Sequence, residues 1–302
     1  MDMELAVPRR IQRESLIDTL RRQSVRTTLW VAAVTFVLAL GSLGMLFPIF
    51  FMISTSLKTS GNTFLLPIKW LPGIEFVPQW KNYPDALNFM HWTVVYGNTL
   101  KVTVADMIGD TLSAAIVAYG FARFRAPGRE LLFTVVLATL MIPYQVRLVP
   151  EYLAFAKLHM IDTLWPLILP AWFGSAFNIF LLRQFFMTIP LEMDEAAKID
   201  GAGPIRIFTD VLLPQIRPAL AVVAIGSFTY NWNDFLRPLI YLNSADRRTA
   251  AVALSFFKAQ YGGTPWNFLM AAALVMLIPI LVLFFFAQRY FIQGIVISGV
   301  KG

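Results

Sequence analysis

The sequence contains no cysteine and only two histidines, His91 and His159, which lie in different segments. Disulfides and thiolate metal sites are excluded, and a histidine-rich metal centre lacks its ligands. Charge is also scarce: 14% of the 302 residues are Asp, Glu, Lys or Arg, against about a quarter in an ordinary soluble chain. No GxxxxGK[ST] phosphate loop occurs, so the chain does not bind ATP in that way. Gly201-Ala202-Gly203 follows no strand and reads as a helix break, not a nucleotide fingerprint. Nothing spaces Ser, His and Asp as a catalytic triad, and no internal repeat stands out. No cofactor and no enzymatic role are expected in this chain.

Long apolar runs fill the space that charge leaves. Hydrophobic residues make up 57% of the chain and the mean hydropathy is +0.63. The run 27–57 spans 31 residues without a charge, too long for a signal-peptide core and long enough to cross a bilayer. Six spans are expected: Trp30–Ser54, Gly97–Phe121, Leu131–Val146, Leu164–Leu182, Pro218–Asn243 and Asn267–Gln288. The fold class is therefore all-α and polytopic, with a basic N-terminal segment at 1–29 and a six-helix membrane domain at 30–302. Membrane lipid is one partner.

The formal net charge of +7 is distributed in a way that points to topology, not to nucleic acid. With six spans, one side of the membrane carries residues 1–29, 122–130, 183–217 and 289–302. These segments hold 15 of the 25 Lys and Arg residues; the opposite loops hold 8, and Lys101 and Arg237 fall within spans. The positive-inside bias places both termini and the 183–217 segment in the cytoplasm of a multi-pass protein of the inner or plasma membrane. On the other side, the 58–96 loop is rich in proline and aromatics, including Trp70, Trp80 and Trp92. It reads either as interfacial anchoring or as a functional surface.

Polar residues inside spans need partners or water. Asp106 and Asp110 lie at i and i+4 on one face of the second span. They fit a stripe lining a substrate path, a helix partly in water beside a partner subunit, or a proton relay. In the fifth span, Asn231, Asn233, Asp234 and Arg237 recur at depth. On a continuous helix Tyr230, Asp234 and Arg237 share a face, and Asp234 and Arg237 can pair at i and i+3. Trp232 and Phe235 flank that face and offer rings for stacking on a cargo. Asn231, Trp232, Asn233, Asp234, Phe235 and Asp110 are thus the candidate path residues.

The most anomalous stretch is 188–218, where Glu192, Asp194, Glu195, Lys198, Asp200, Arg206, Asp210 and Arg217 crowd into an otherwise apolar chain. It reads as two short helices around a hinge. Thr188 is placed to cap the first, and Met193, Ala196, Ala197 and Asp200 share one face. Gly201 to Pro204 break the helix and restart it. Ile205, Phe208 and Leu212 share a face of the second helix, which Pro214 and Pro218 end.

The order Glu195-Ala196-Ala197, Asp200-Gly201-Ala202, Phe208, Pro214 resembles the EAA loop of ABC importer permeases. Trp232–Leu239 and the tail from Gln288 to Gly302 are similar to the carbohydrate-uptake permeases of the maltose-transporter G-subunit type. The resemblance implies a type I importer membrane domain whose cytoplasmic coupling helix docks on an ATPase. It also implies a homologous permease subunit as heterodimer partner, two ATPase subunits that bind ATP and Mg, and an extracytoplasmic sugar-binding protein. The cargo it implies is a sugar or related polyol. A proton-coupled secondary transporter acting through Asp106 and Asp110 is the alternative, and a non-transporting scaffold a third class.

Overall fold

In lipid, a chain has to satisfy its backbone polar groups internally, so apolar runs of this length fold as helices. The computed structural model describes residues 9–257 and 264–299, with side chains described over 27–257 and 264–288. Fourteen α-helical segments occur among them. The first, α1 (Arg9–Ser56), runs unbroken from the basic segment through the first span. Its 48 residues measure about 72 Å at 1.5 Å per residue. It leans on the last helix and leaves most of its apolar surface open.

After a connector come α2 (Asn82–Phe89) and α3 (Trp92–Arg123), the 32-residue helix against which most of the bundle packs. Ala114, Ala115 and Ala118 on its inner face are fully buried, because small side chains let neighbouring helices approach. Gly109 does the same for a ring: a Cβ there would sit 2.7 Å from the indole of Trp172. Trp172 is about half exposed and can move. Gly109→Ala is therefore expected to destabilise the purified protein by about 1–3 kcal/mol of overpacking, partly offset by helix propensity. Adding Trp172→Ala should remove the overpacking share in a thermal melt.

The third span differs from expectation. It comprises α4 (Arg129–Ala138) and a 3₁₀ turn over Thr139–Met141, and then the chain bends 99° into α5 (Tyr144–Lys157). The expected Leu131–Val146 span thus stops short, and the supposed polar connector 147–163 is helical as far as Lys157. Pro143 causes this by forcing Ile142 into an extended conformation. The fourth span starts with α6 (Trp165–Ile168) and a 3₁₀ turn at Leu169–Phe173. Gly174 at φ +76° then breaks the helix ahead of α7 (Ala176–Thr188), with Ser175 Oγ accepting from the Asn178 N–H as the N-cap. Pro166 and Pro170, expected to bend the start of this span, lie in the opening turns of α6 and of the 3₁₀ segment.

The two arms that follow are α8 (Leu191–Ile199), and then α9 (Pro204–Arg206), a π-turn at Ile207–Leu212 and α10 (Leu213–Gln215). An 82° bend leads into α11 (Arg217–Trp232). The fifth span, expected over Pro218–Asn243 with interruptions at Tyr230 to Phe235 and at Arg237-Pro238, is interrupted at the first of these. Helix α11 ends at Trp232 and Asn233 to Phe235 form a break, whereas Arg237 and Pro238 lie within α12 (Leu236–Tyr241). The expected face of Tyr230, Asp234 and Arg237 on a continuous helix is replaced by a corner. The chain closes with α13 (Ala250–Phe256) and α14 (Trp266–Gly299).

Among the described residues, four helices are long and apolar enough to span a membrane, or up to six if each bent pair is one span. Among the described residues, sheet structure is limited to one bridge between Pro72 and Phe76. One core lies where α3, α7, the two arms and the start of α11 meet; another joins α2, α13 and α14 to the opposite ends of α3 and α11. At that opposite end, Asp162 accepts from the Asn243 and Ser244 N–H groups, 2.8 Å each, and from the Ser244 hydroxyl. The Ser244 hydroxyl and the two N–H donors hold the Asp162 carboxyl below its usual range. This clasp therefore holds at neutral pH and weakens only as pH falls through that lowered value. Lys258 and the side chains of the tail after Gln288 and of the basic segment before Thr27 lie outside the described residues.

Candidate functional site: a two-armed loop and a charged cavity

The 188–218 segment folds as two arms on the bundle. The first arm ends in a Schellman cap: Gly201 N–H reaches Lys198 O at 3.0 Å and Ala202 N–H reaches Ala197 O at 2.9 Å. Gly201 adopts φ +80°, a left-handed conformation that favours glycine. Pro204 opens the second arm, as expected from its fixed φ.

Glu195, Ala196, Asp200 and Gly201 are exposed, whereas Ala197, Ala202, Phe208 and Pro214 are half-buried against the bundle. Three local expectations need correction. Thr188 caps nothing in α8, because its hydroxyl turns back to Phe185 O at 2.7 Å; Pro190 occupies the cap position. The inward face of α8 is Met193, Asp194 and Ala197, so Ala196 and Asp200 point away from it. In the second arm the π-turn buries Ile207 and Leu212, five apart, and leaves Ile205 81% exposed. Pro214 lies inside this arm and does not end it.

Sequence reasoning missed what holds the loop. Arg123, the last residue of α3, pairs with Asp194 at 3.2 Å, with both side chains less than 10% exposed. It also donates to Ile189 O at 2.9 Å. One turn earlier, the Tyr119 hydroxyl donates to Pro204 O at 3.0 Å, and its ring lies 4.9 Å from that of Phe208. Arg123 read as part of a basic turn and Asp194 as a first-turn acid; no local pattern pairs residues so far apart in sequence. Ile199, 87% exposed beside Gly201, was also missed.

The second feature is a cavity of about 660 Å³ between α3, the broken fourth span and α11. Asp106 on its wall is 1% exposed and lies 3.6 Å from Arg237. Arg237 also pairs with Asp234 at 2.5 Å and donates to Asn231 Oδ1. The expected Asp234–Arg237 pair therefore forms, across the break and not along a helix. Asp110 lines the same cavity and accepts from the Ser175 N–H at 3.1 Å and from Asn178 Nδ2 at 2.7 Å. It thereby ties the negative-favouring start of α7 to α3. Since both acids face the interior of this chain, the reading of α3 as a helix in water beside a partner does not hold there. A third ion pair, Arg147–Glu151 at 3.7 Å, completes the charged lining.

Of the residues expected on a substrate path, Asn231 and Asp110 line the cavity. Trp232 does not: it is fully buried, its Nε1 donates to Met276 O at 3.0 Å, and it stacks on Phe228 at 5.5 Å. The last turn of α11 directs that ring into the core, where its N–H finds a carbonyl. Asn233 is exposed and spends its amide on Thr229 O, and Phe235 is exposed away from the lining. Asp234 acts behind the wall through Arg237. Tyr230, 63% exposed on the cavity, supplies the aromatic surface in their place.

A bundle of long apolar helices, broken at prolines around a polar cavity and carrying a helical loop at one end, is the architecture of a membrane permease. The chain belongs to the family described as binding-protein-dependent transport system inner membrane component, whose model matches residues 111–297. It is thus the multi-pass permease subunit of an ABC importer, and the proton-driven and scaffold alternatives are set aside. It is 36% identical over 269 residues to the sn-glycerol-3-phosphate transport system permease protein UgpE of Brucella abortus (strain 2308), covering 86% of this chain and 94% of that one. The protein of that name from Pectobacterium atrosepticum is 35% identical over 270 residues, with the same coverage. The fold matches that in the crystal structure of a bacterial ABC transporter involved in import of the acidic polysaccharide alginate. There the TM-score is 0.76 at 21% identity, over 87% of this chain and 96% of that one.

Proposed function

We propose that this permease moves a sugar or related polyol, handed over by an extracytoplasmic binding protein, and couples to a separate ATPase through Glu195 to Pro214. The carrying observation is the shape of the loop tip. Glu195, Ala196, Asp200 and Gly201 stand in solvent with Ile199 and Ile205 beside them, both more than 80% exposed. An exposed apolar pair beside a rigid turn, flanked by acids, suits insertion into a groove of a partner protein. The partners are a homologous permease subunit and two ATPase copies, which bind ATP and Mg. Both termini and the loop face the cytoplasm, in line with the Lys and Arg bias.

The cavity supports the cargo class. Its cations are already paired, Arg237 with Asp106 and Asp234, and Arg147 with Glu151. A phosphate ester would have to displace a carboxylate, whereas hydroxyl groups can bond to such pairs without breaking them. Tyr230 offers a ring face to a sugar. Although the relatives named above are glycerol-3-phosphate permeases, this lining favours a neutral, hydroxyl-rich cargo.

The cysteine-free background allows a clean test. Lys198→Cys should be shielded from an impermeant thiol reagent in intact cells, while Lys69→Cys and Lys157→Cys should label. In vesicles containing the whole complex, sugar uptake should require ATP and survive collapse of the proton gradient. Labelling of the Lys198→Cys protein from outside, or uptake that follows the proton gradient with ATP clamped, would overturn the proposal.

A further inference from the structure

Resting on the coupling-loop reading, we infer that Tyr119 and Arg123 form a clip that makes the loop and α3 one mechanical unit. Through it, displacement at the loop is delivered to the cavity wall. The two residues are i and i+4 on the last turn of α3, and each holds a different arm. Arg123 fixes the first arm through Asp194 and Ile189 O. Tyr119 fixes the second through Pro204 O and the Phe208 ring. Between the arms lies the Gly201 turn, so the clip spans the hinge and closes it from behind.

The contacts are of a kind that transmits displacement instead of absorbing it. The Arg123–Asp194 ion pair is buried, where solvent does not screen it, and the guanidinium also donates a hydrogen bond to Ile189 O. Phe186 of α7 packs on both Tyr119 and Phe208, so the clip is seated in the core. On the same helix, 13 and 17 residues before Arg123, Asp110 and Asp106 line the cavity. That is about 20 and 26 Å along a straight axis. Asp110 holds the start of α7, and Asp106 meets Arg237 beyond the end of α11. An α3 that follows the loop therefore shifts the wall at both places. Tyr119 and Arg123 are positioning residues that touch neither cargo nor nucleotide.

The test uses the reconstituted complex of both permeases, ATPase subunits and binding protein, and reads ATP hydrolysed per sugar imported, per assembled complex. Arg123→Gln and Tyr119→Phe should both assemble and hydrolyse ATP while that ratio rises by about tenfold, within the usual range of coupling between sites. Arg123→Lys should recover part of the coupling, because it restores the charge without the fork. A merely structural role would lower the amount of assembled complex and leave the ratio unchanged. If Arg123→Gln fails to assemble, Tyr119→Phe decides, since it removes one hydroxyl and keeps the ring in the core. A wild-type ratio in Tyr119→Phe overturns the clip. Gly201→Asp, run alongside, separates the two ideas. If it uncouples while the clip variants do not, the clip alone is wrong; if it couples normally, the loop reading itself falls.

Discussion

A Gly201→Asp protein is expected to insert and to assemble with the second permease, yet to lose ATP-driven uptake and ATPase association almost completely. Two effects combine. Gly201 sits at φ +80°, which costs an ordinary L-residue about 1–2 kcal/mol. Among the described residues, nothing beyond its chain neighbours lies within 4 Å of a Cβ built there, so a side chain meets no obstacle among them. The larger effect therefore arises outside this subunit, where a charged group would stand on the tip proposed to enter the ATPase groove. Gly201→Asn isolates the charge, because asparagine and aspartate both tolerate the left-handed region and only aspartate is charged. It should retain more coupling than the aspartate. Measured in reconstituted vesicles, near wild-type uptake per ATP by Gly201→Asp would remove the docking role.

Where local chemistry alone decides structure, the sequence could be read. The Gly201 to Pro204 turn forms as glycine and proline dictate, and the lack of charge between Thr27 and Leu57 marks a span that the structure continues as α1. The pairing of Asp234 with Arg237 was legible too, since residues three apart remain close whether the chain is helical or turning. What failed needed distant partners. A hydropathy run does not show that Pro143 redirects the third span by 99°, nor that the fifth ends at Trp232. Trp232 looked available to a sugar because its sequence neighbours are polar; its fate was set by Phe228 and by Met276 O on another helix. Likewise the π-turn changes the spacing of the inward face, so a 3.6-residue template selects Ile205 where the fold buries Ile207.

The broken helices and the charged cavity share a cause. Each break frees backbone groups that lipid cannot satisfy, and each lies against protein or the cavity. Gly174 and Ser175 end one break, where the Asp110 carboxylate receives the freed Ser175 N–H. Arg237 serves the same span from the facing side: besides its two acids it reaches Leu167 O at 3.4 Å, in α6. The charges on the wall thus support the same irregular backbone that shapes the cavity.

That arrangement predicts a steep, ordered response at the Arg237 cluster. Arg237→Gln leaves Asp106, 1% exposed, and Asp234, 10% exposed, without their cation. Removing one partner of a buried pair costs about 3–5 kcal/mol, and here two carboxylates are left. This variant should show the largest loss of thermal stability in the detergent-purified complex, with uptake lost in parallel. Asp234→Asn should be milder, because Arg237 keeps Asp106 and Asn231 and the amide can still accept from it. Combining Arg237→Gln with Asp234→Asn should then cost less than the sum of the two, by about 0.5–3 kcal/mol of coupling. Adding Asp106→Asn to that double variant should recover further stability, since no unpaired buried charge remains, while uptake stays low because the polar wall has lost its shape. Strict additivity of the Arg237 and Asp234 substitutions in the melt would mean that the two do not form one unit. Full uptake by the triple variant would mean that the cluster serves stability alone and leaves the sugar path to other residues.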